Sequence, residues 1–265
     1  MDSAMSLAAD VSQASRWVLL LVVPLVMFLG ACAAFRPATA PIRTIEIHNA
    51  AEPRCLVVLL PGRNSTPESF TGFAKGVEER QLPIDLVAVD AHLRYYRTRS
   101  VIERVRTDVI GPAMLAGYDE IWIAGTSLGG LGSLLYLRDH PEDLSGVIAL
   151  APFLGPDDVI DEIEEAGGPR AWKPPDIVGE SDTGRELWSF LIPGGGLSAE
   201  VPLYLGWGTG DKFDRSNGIL AELLPDGRTL AVDGAHDMGT WIRLWETFLD
   251  KTELCRASKP VPSED

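Results

Sequence analysis

The chain is poor in basic residues, cysteine and histidine, and each shortage narrows what it can do. Lys and Arg total 23 against 38 Asp and Glu, leaving a formal net charge of -15. That field repels phosphate backbones, and no basic stripe runs with the aromatic residues as nucleic-acid binding needs. Nucleic acid is excluded as a partner. Only three cysteines occur, Cys32, Cys55 and Cys255, with no CxxC and no clustered Cys/His spacing, so no zinc site is implied. Internal repeats and long low-complexity runs are absent as well, which argues against a solenoid or a disordered tail protein. What remains is a 265-residue chain, 46% hydrophobic, large enough to bury one sizeable core.

One long apolar run stands apart from that core. From Trp17 to Gly30 the chain reads WVLLLVVPLVMFLG, preceded by Arg16 and followed by small residues. It is shorter than the ~20 residues that span a bilayer comfortably, and it has the length of a signal-peptide core. At its end LGAC, Leu29 to Cys32, resembles the bacterial lipoprotein processing site, in which cleavage leaves a lipidated cysteine at the new N-terminus. Asp2 and Asp10 against a single Arg16 make an atypical leader, so an uncleaved anchor or an ordinary signal peptide stays open. The expectation is an anchor segment and linker over residues 1–41, with Cys32 lipidated and the rest of the chain in the cell envelope or, alternatively, secreted or periplasmic. Two cysteines then remain in an oxidising compartment, and a Cys55–Cys255 bridge and a pair of free thiols are both open.

Past the RPATAP linker, short apolar runs alternate with helical patterns. Strands are expected at Arg43–His48, Cys55–Leu60, Asp85–Val89, Glu120–Ala124, Gly146–Leu150, Pro202–Gly206 and Thr229–Val232. The SVIE stretch from Ser100 reads as a capping box opening a helix with Val101, Val105 and Val109 on one face. A helix follows Ser127 up to Pro141, and the last covers Met238 to about Leu249. Strands alternating with helices, several buried on both faces, predict an α/β fold: a mostly parallel sheet with helices on both faces, over residues 42–250. Residues 153–200 break the alternation and are expected to form a small helical cap, with 251–265 a C-terminal tail. The arginines of HLRYYRTR, His92 to Arg99, and the six carboxylates between Asp157 and Glu165 admit three readings. They pair and hold the cap closed, the arginines attract an anionic substrate group, or the two are separate solvated faces.

WIAGTSLGGLG, Trp122 to Gly132, runs an apolar strand into a serine between glycines and restarts as an apolar helix. GTSLG fits GxSxG in the strand–turn–helix context that the motif requires, which makes Ser127 a candidate nucleophile. A serine hydroxyl needs an imidazole to take its proton, and the imidazole needs a carboxylate to fix its tautomer. Of four histidines, His236 in DGAHDMGTW, between the last strand and last helix, fits best, and His92 is the runner-up. The acid is expected at Asp211 in TGDKFD, just past a strand, with Asp214 as the alternative. Oxyanion-hole amides are expected from Leu128, at the start of the helix after the serine, and from Arg63 in LLPGRNST.

The order of PGRNS loop, GTSLGG elbow, GTGD acid turn and GAHD histidine loop resembles the α/β-hydrolase superfamily, particularly its esterase-like members. That resemblance implies a Ser-His-Asp triad, here Ser127, His236 and Asp211, an acyl-enzyme intermediate, and no metal or organic cofactor. Pro61 stands where many members have a histidine, and the residues around the serine define no subfamily. The expected activity is hydrolysis of a small-molecule ester or related acyl compound by an exported, membrane-tethered enzyme. A non-catalytic lipoprotein that binds a ligand or partner on the same fold is the alternative.

Overall fold

The computed structural model describes residues 37–51, 55–179, 182–252 and 254–255. The apolar N-terminal run and Cys32 lie outside the described residues. So does the start of the linker.

Seven strands form one sheet in the order β1-β3-β2-β4-β5-β6-β7. They are β1 (Thr44–His48), β2 (Cys55–Leu60), β3 (Ile84–Val89), β4 (Glu120–Thr126), β5 (Gly146–Leu150), β6 (Leu203–Gly208) and β7 (Thr229–Val232). β1 is antiparallel to β3, and every other pairing is parallel. CLVVLL of β2 and GVIAL of β5 are buried at every residue, as a strand covered on both faces must be. The two edges, TIEIH of β1 and TLAV of β7, are partly exposed throughout.

The helices are α1 (Thr71–Glu79), α2 (Leu93–Arg97), α3 (Val101–Val105), α4 (Gly111–Ala116), α5 (Leu128–Asp139), α6 (Asp157–Glu165), α7 (Thr183–Leu191), α8 (Asp214–Ala221) and α9 (Met238–Lys251). α5 is buried on nearly all sides, which is why LGGLGSLLYLRD shows no polar face. α9 is amphipathic: Trp241, Leu244, Trp245, Phe248 and Leu249 recur at helical spacing and are buried. Trp245 stacks on Phe73 of α1 at 5.3 Å and donates its indole N–H to the Phe73 carbonyl. Val101, Val105 and Val109 share a buried face, as the spacing predicts. The helix runs on unbroken into α4 through a π turn over Arg106–Ile110.

The SVIE capping box does not form. Ser100 sits at φ -100, ψ -3 with no side-chain cap bond, whereas a capping serine needs an extended backbone to reach N3. Its hydroxyl instead shares a 2.8 Å hydrogen bond with Thr98, and Glu103 pairs with Arg104.

Two helices, α6 and α7, lie in the expected cap. The acidic run of α6 is held by arginines other than those of the HLRYYRTR segment: Arg185 pairs with Asp158 and Glu162, and Arg215 with Asp161 and Glu164. Arg99 does reach the cap, but through Glu186 on α7 at 3.1 Å.

At the other end of the chain, packing continues beyond α9. Leu254 and Cys255 are buried, and Cys255 forms a disulfide with Cys55, the first residue of β2. Their Cα atoms are 5.4 Å apart, inside the range that a bridge needs.

Candidate active site

β4 delivers Ser127 at its carboxyl end. The backbone there takes φ 53, ψ -112, a region costly for any residue with a Cβ. Three hydrogen bonds brace it: Ser127 N–H to the Leu150 carbonyl at 2.9 Å, and the Ser127 carbonyl to the amides of Leu131 and Phe153. The flanking glycines are required by space. A Cβ on Gly125 would strike the Gly129 carbonyl, and one on Gly129 would strike the Leu60 carbonyl. Side chains at either position would push α5 off the sheet.

The histidine comes from the loop between β7 and α9. Asp237 caps α9 by accepting the Thr240 amide at 2.9 Å, so His236 is the last residue before the cap. The acid comes from the turn after β6. The two turns are joined through the backbone, since Thr209 N–H donates to Val232 O and Gly210 N–H to Gly234 O, each at 2.8 Å. Asp211 therefore arrives beneath His236 with its side chain fully buried.

The resulting geometry is continuous. His236 Nε2 lies 2.9 Å from Ser127 Oγ, and His236 Nδ1 lies 2.7 Å and 2.9 Å from the two oxygens of Asp211. Asp211 Oδ1 also accepts the Phe213 amide at 2.7 Å, which fixes the carboxylate's orientation. With Asp211 ionised, Nδ1 is the donor and Nε2 is left with the lone pair toward Ser127. Asp214, the alternative acid, is occupied elsewhere: its Oδ1 accepts the Trp207 indole N–H at 2.7 Å. His92 packs on Tyr95 with ring centroids 4.7 Å apart, while His48 and His140 lie near Glu78 and Glu142.

Two contacts went unread in the sequence. Phe213 and Trp241 meet the His236 ring edge-on, at 4.9 Å and 5.0 Å, so that the imidazole is held by aromatic walls as well as by its hydrogen bonds. Phe153 extends that wall at 5.5 Å from Phe213. Only position could have marked Phe213 and Trp241, each being a large aromatic within five residues of a site residue. On the other side, the Cβ position of Gly62 lies 3.4 Å from Ser127 Cβ, so the PGR loop abuts the serine. Arg63 follows in that loop, and Leu128 opens α5 directly after Ser127.

Among the described residues, the grouping of three prospective metal ligands is His140, Glu142 and Asp143, at the far end of α5. Asp143 there already accepts from Tyr136 at 2.8 Å and from Arg106 at 2.9 Å. It has no part in the Ser127 arrangement.

Comparison with known proteins agrees with this architecture. The family described as Putative esterase matches residues 116–244, a segment that contains Ser127, Asp211 and His236. Similar solved structures include the S-formylglutathione hydrolase FrmB from Staphylococcus aureus, with TM-score 0.54 and 11% identity over 81% of this chain and 97% of that one. Est1E from Butyrivibrio proteoclasticus with bound ferulic acid gives TM-score 0.53 and 14% identity over 79% and 95%. A membrane phospholipase A described as a bacterial virulence factor gives TM-score 0.50 and 16% identity over 96% and 99%. No curated protein sequence matches this chain. The fold is that of the α/β hydrolases.

Proposed function

We propose that the chain is a serine hydrolase that cleaves carboxylic esters of small molecules through an acyl-enzyme intermediate. The observation that carries this reading is the unbroken relay from Asp211 through His236 to Ser127 Oγ. A fold without catalytic duty has no reason to keep a serine at strained φ with an imidazole aimed at its hydroxyl. The match of residues 116–244 to the Putative esterase family supports the ester as substrate class, as do neighbours such as a ferulic acid esterase.

In this mechanism Ser127 Oγ attacks the ester carbonyl carbon as His236 Nε2 takes its proton. Asp211 stabilises the imidazolium without being protonated itself. The carbonyl oxygen becomes an oxyanion, met by the backbone amides of Leu128, at the positive end of the α5 dipole, and Arg63. Collapse breaks the bond to the alcohol oxygen, which leaves with the proton from His236. Water then repeats the sequence with His236 as base, releasing the acid and restoring Ser127. An alkoxide leaves more readily than an amide nitrogen, so esters rank above peptides as substrates.

We place this domain outside the cytoplasm, tethered through a lipidated Cys32. Support comes from the LGAC stretch after the apolar run and from the Cys55–Cys255 bridge, a bond that persists in oxidising compartments. Replacing Cys32→Ser is expected to release the protein from membranes or leave it uncleaved. Full-length precursor in the cytosolic fraction of the unaltered strain refutes the placement.

The decisive test of the chemistry is labelling by a fluorophosphonate, together with turnover of p-nitrophenyl acetate and butyrate. Ser127→Ala and His236→Ala are each expected to remove most turnover, and the double variant to be scarcely worse than either, because the pair acts as a unit. Multiplicative losses, or labelling that survives Ser127→Ala, count against the mechanism.

A further inference from the structure

In a chain with 38 acidic residues against 23 basic ones, arginines readily find carboxylates. Arg43, Arg80, Arg106, Arg185 and Arg215 all do. Two basic residues on the loops beside Ser127 do not. Arg63 follows Gly62, whose Cβ position abuts the serine, and Lys212 follows Asp211; both residues are exposed. Neither lies within ion-pair distance of a carboxylate among the described residues. Lys212 Nζ instead lies 4.7 Å from the centre of the Phe213 ring, the same ring that meets His236 edge-on. An ammonium group is thus held one aromatic ring from the imidazole.

A cation close to a site and unpaired with any carboxylate of the described residues attracts and orients an anion. We propose that Lys212, with Arg63 on the loop that abuts the serine, binds an anionic group carried by the substrate, so that the preferred esters bear a carboxylate or phosphate near the scissile bond. This rests on the hydrolase reading above and narrows its substrate class. The proposal assigns anion recognition to the loops after β2 and β6; in the HLRYYRTR segment Arg99 is engaged with Glu186.

The test compares charged and neutral esters of similar shape: 4-acetoxybenzoate with its methyl ester, and mono-4-nitrophenyl adipate with 4-nitrophenyl hexanoate. Each kcat/KM is divided by the hydroxide-catalysed rate of the same ester. At low salt the anionic member of at least one pair is expected to lead by about 10-fold, and the lead to shrink by about 0.5 M salt, as screening requires. Lys212→Gln lowers the anionic-to-neutral ratio about 3- to 10-fold while Lys212→Arg restores it, a pattern that a structural role for the side chain does not produce. Neutral esters turned over with no anionic preference in either pair overturn the proposal and leave the hydrolase reading standing. A ratio unmoved by both Lys212→Gln and Arg63→Gln overturns it too. No turnover of any ester overturns both.

Discussion

Breaking the Cys55–Cys255 bridge should cost the domain a large part of its stability and little of its chemistry. The two cysteines are 200 residues apart in sequence. In the chain-entropy account, closing a loop of that length removes conformational freedom from the unfolded state worth about 5 kcal/mol at 25 °C. A domain is typically stable by only ~5–15 kcal/mol, so the bridge is a third or more of the margin. Either Cys55→Ala or Cys255→Ala removes the cross-link, and the double variant should match the singles apart from about 1 kcal/mol for the small volumes deleted. In urea, with a slope near ~3 kcal/mol/M, the midpoint should fall by roughly 1.5 M. Wild-type protein unfolded with a reductant present should fall by a similar amount. The bridge sits at the amino end of β2, whereas Ser127 follows the carboxyl end of its parallel neighbour β4, so turnover at low temperature should survive. A urea midpoint within about 0.3 M of the wild type would refute the argument, as would loss of turnover in variants that remain folded.

Other expectations concern single side chains. Asp211→Asn presents an amide where Nδ1–H needs an acceptor, favouring the tautomer with its proton toward Ser127, and should lower kcat by about 10³- to 10⁴-fold. Asp214→Asn keeps an oxygen for the Trp207 indole and should lower it less than about 10-fold; equal losses in the two would remove Asp211 from its role. Burial first, then the hydrogen bond and charge of Asp85, push the Tyr118 phenol up from its ordinary 10.0 to about 12. Its contribution to stability is therefore complete below pH 10 and is lost as pH rises toward 12, and Tyr118→Phe should flatten that alkaline limb in thermal melts.

The parts of the site that were legible in the sequence are those whose residue types are constrained locally. Between an apolar strand and an apolar helix, GTSLG has one reading because the clashes that a Cβ would make at Gly125 and Gly129 are with backbone, and backbone leaves no signature other than glycine. His236 and Asp211 were legible by elimination and chain order, each on the turn after a strand. The capping box at Ser100 shows the limit of that approach. S-x-x-E is a spacing, while a cap is a backbone conformation, and here Thr98 takes the serine hydroxyl before the helix can. Likewise, the acidic run of α6 pairs not with the arginines of HLRYYRTR but with Arg185 and Arg215, brought there by α7 and α8.

What composition cannot carry is distance between segments. Asp211 and His236 are 25 residues apart in the chain and 2.7 Å apart at their polar atoms because the turns that bear them are joined by the Thr209–Val232 and Gly210–Gly234 hydrogen bonds. Those bonds are made by backbone, as are the ones that brace Ser127 against Leu150 and Phe153. The parallel register of β4, β5, β6 and β7 sets all of them, by bringing the carboxyl ends of the strands to one edge. The side chains that then pack around the imidazole, Phe213 and Trp241, need only be large and flat, and so they carry no motif. A sequence can therefore announce the polar groups of the site while staying silent on the aromatic walls around them, and it leaves the pairing of Cys55 with Cys255 open. Each is a consequence of the register, which emerges only when the whole sheet is assembled.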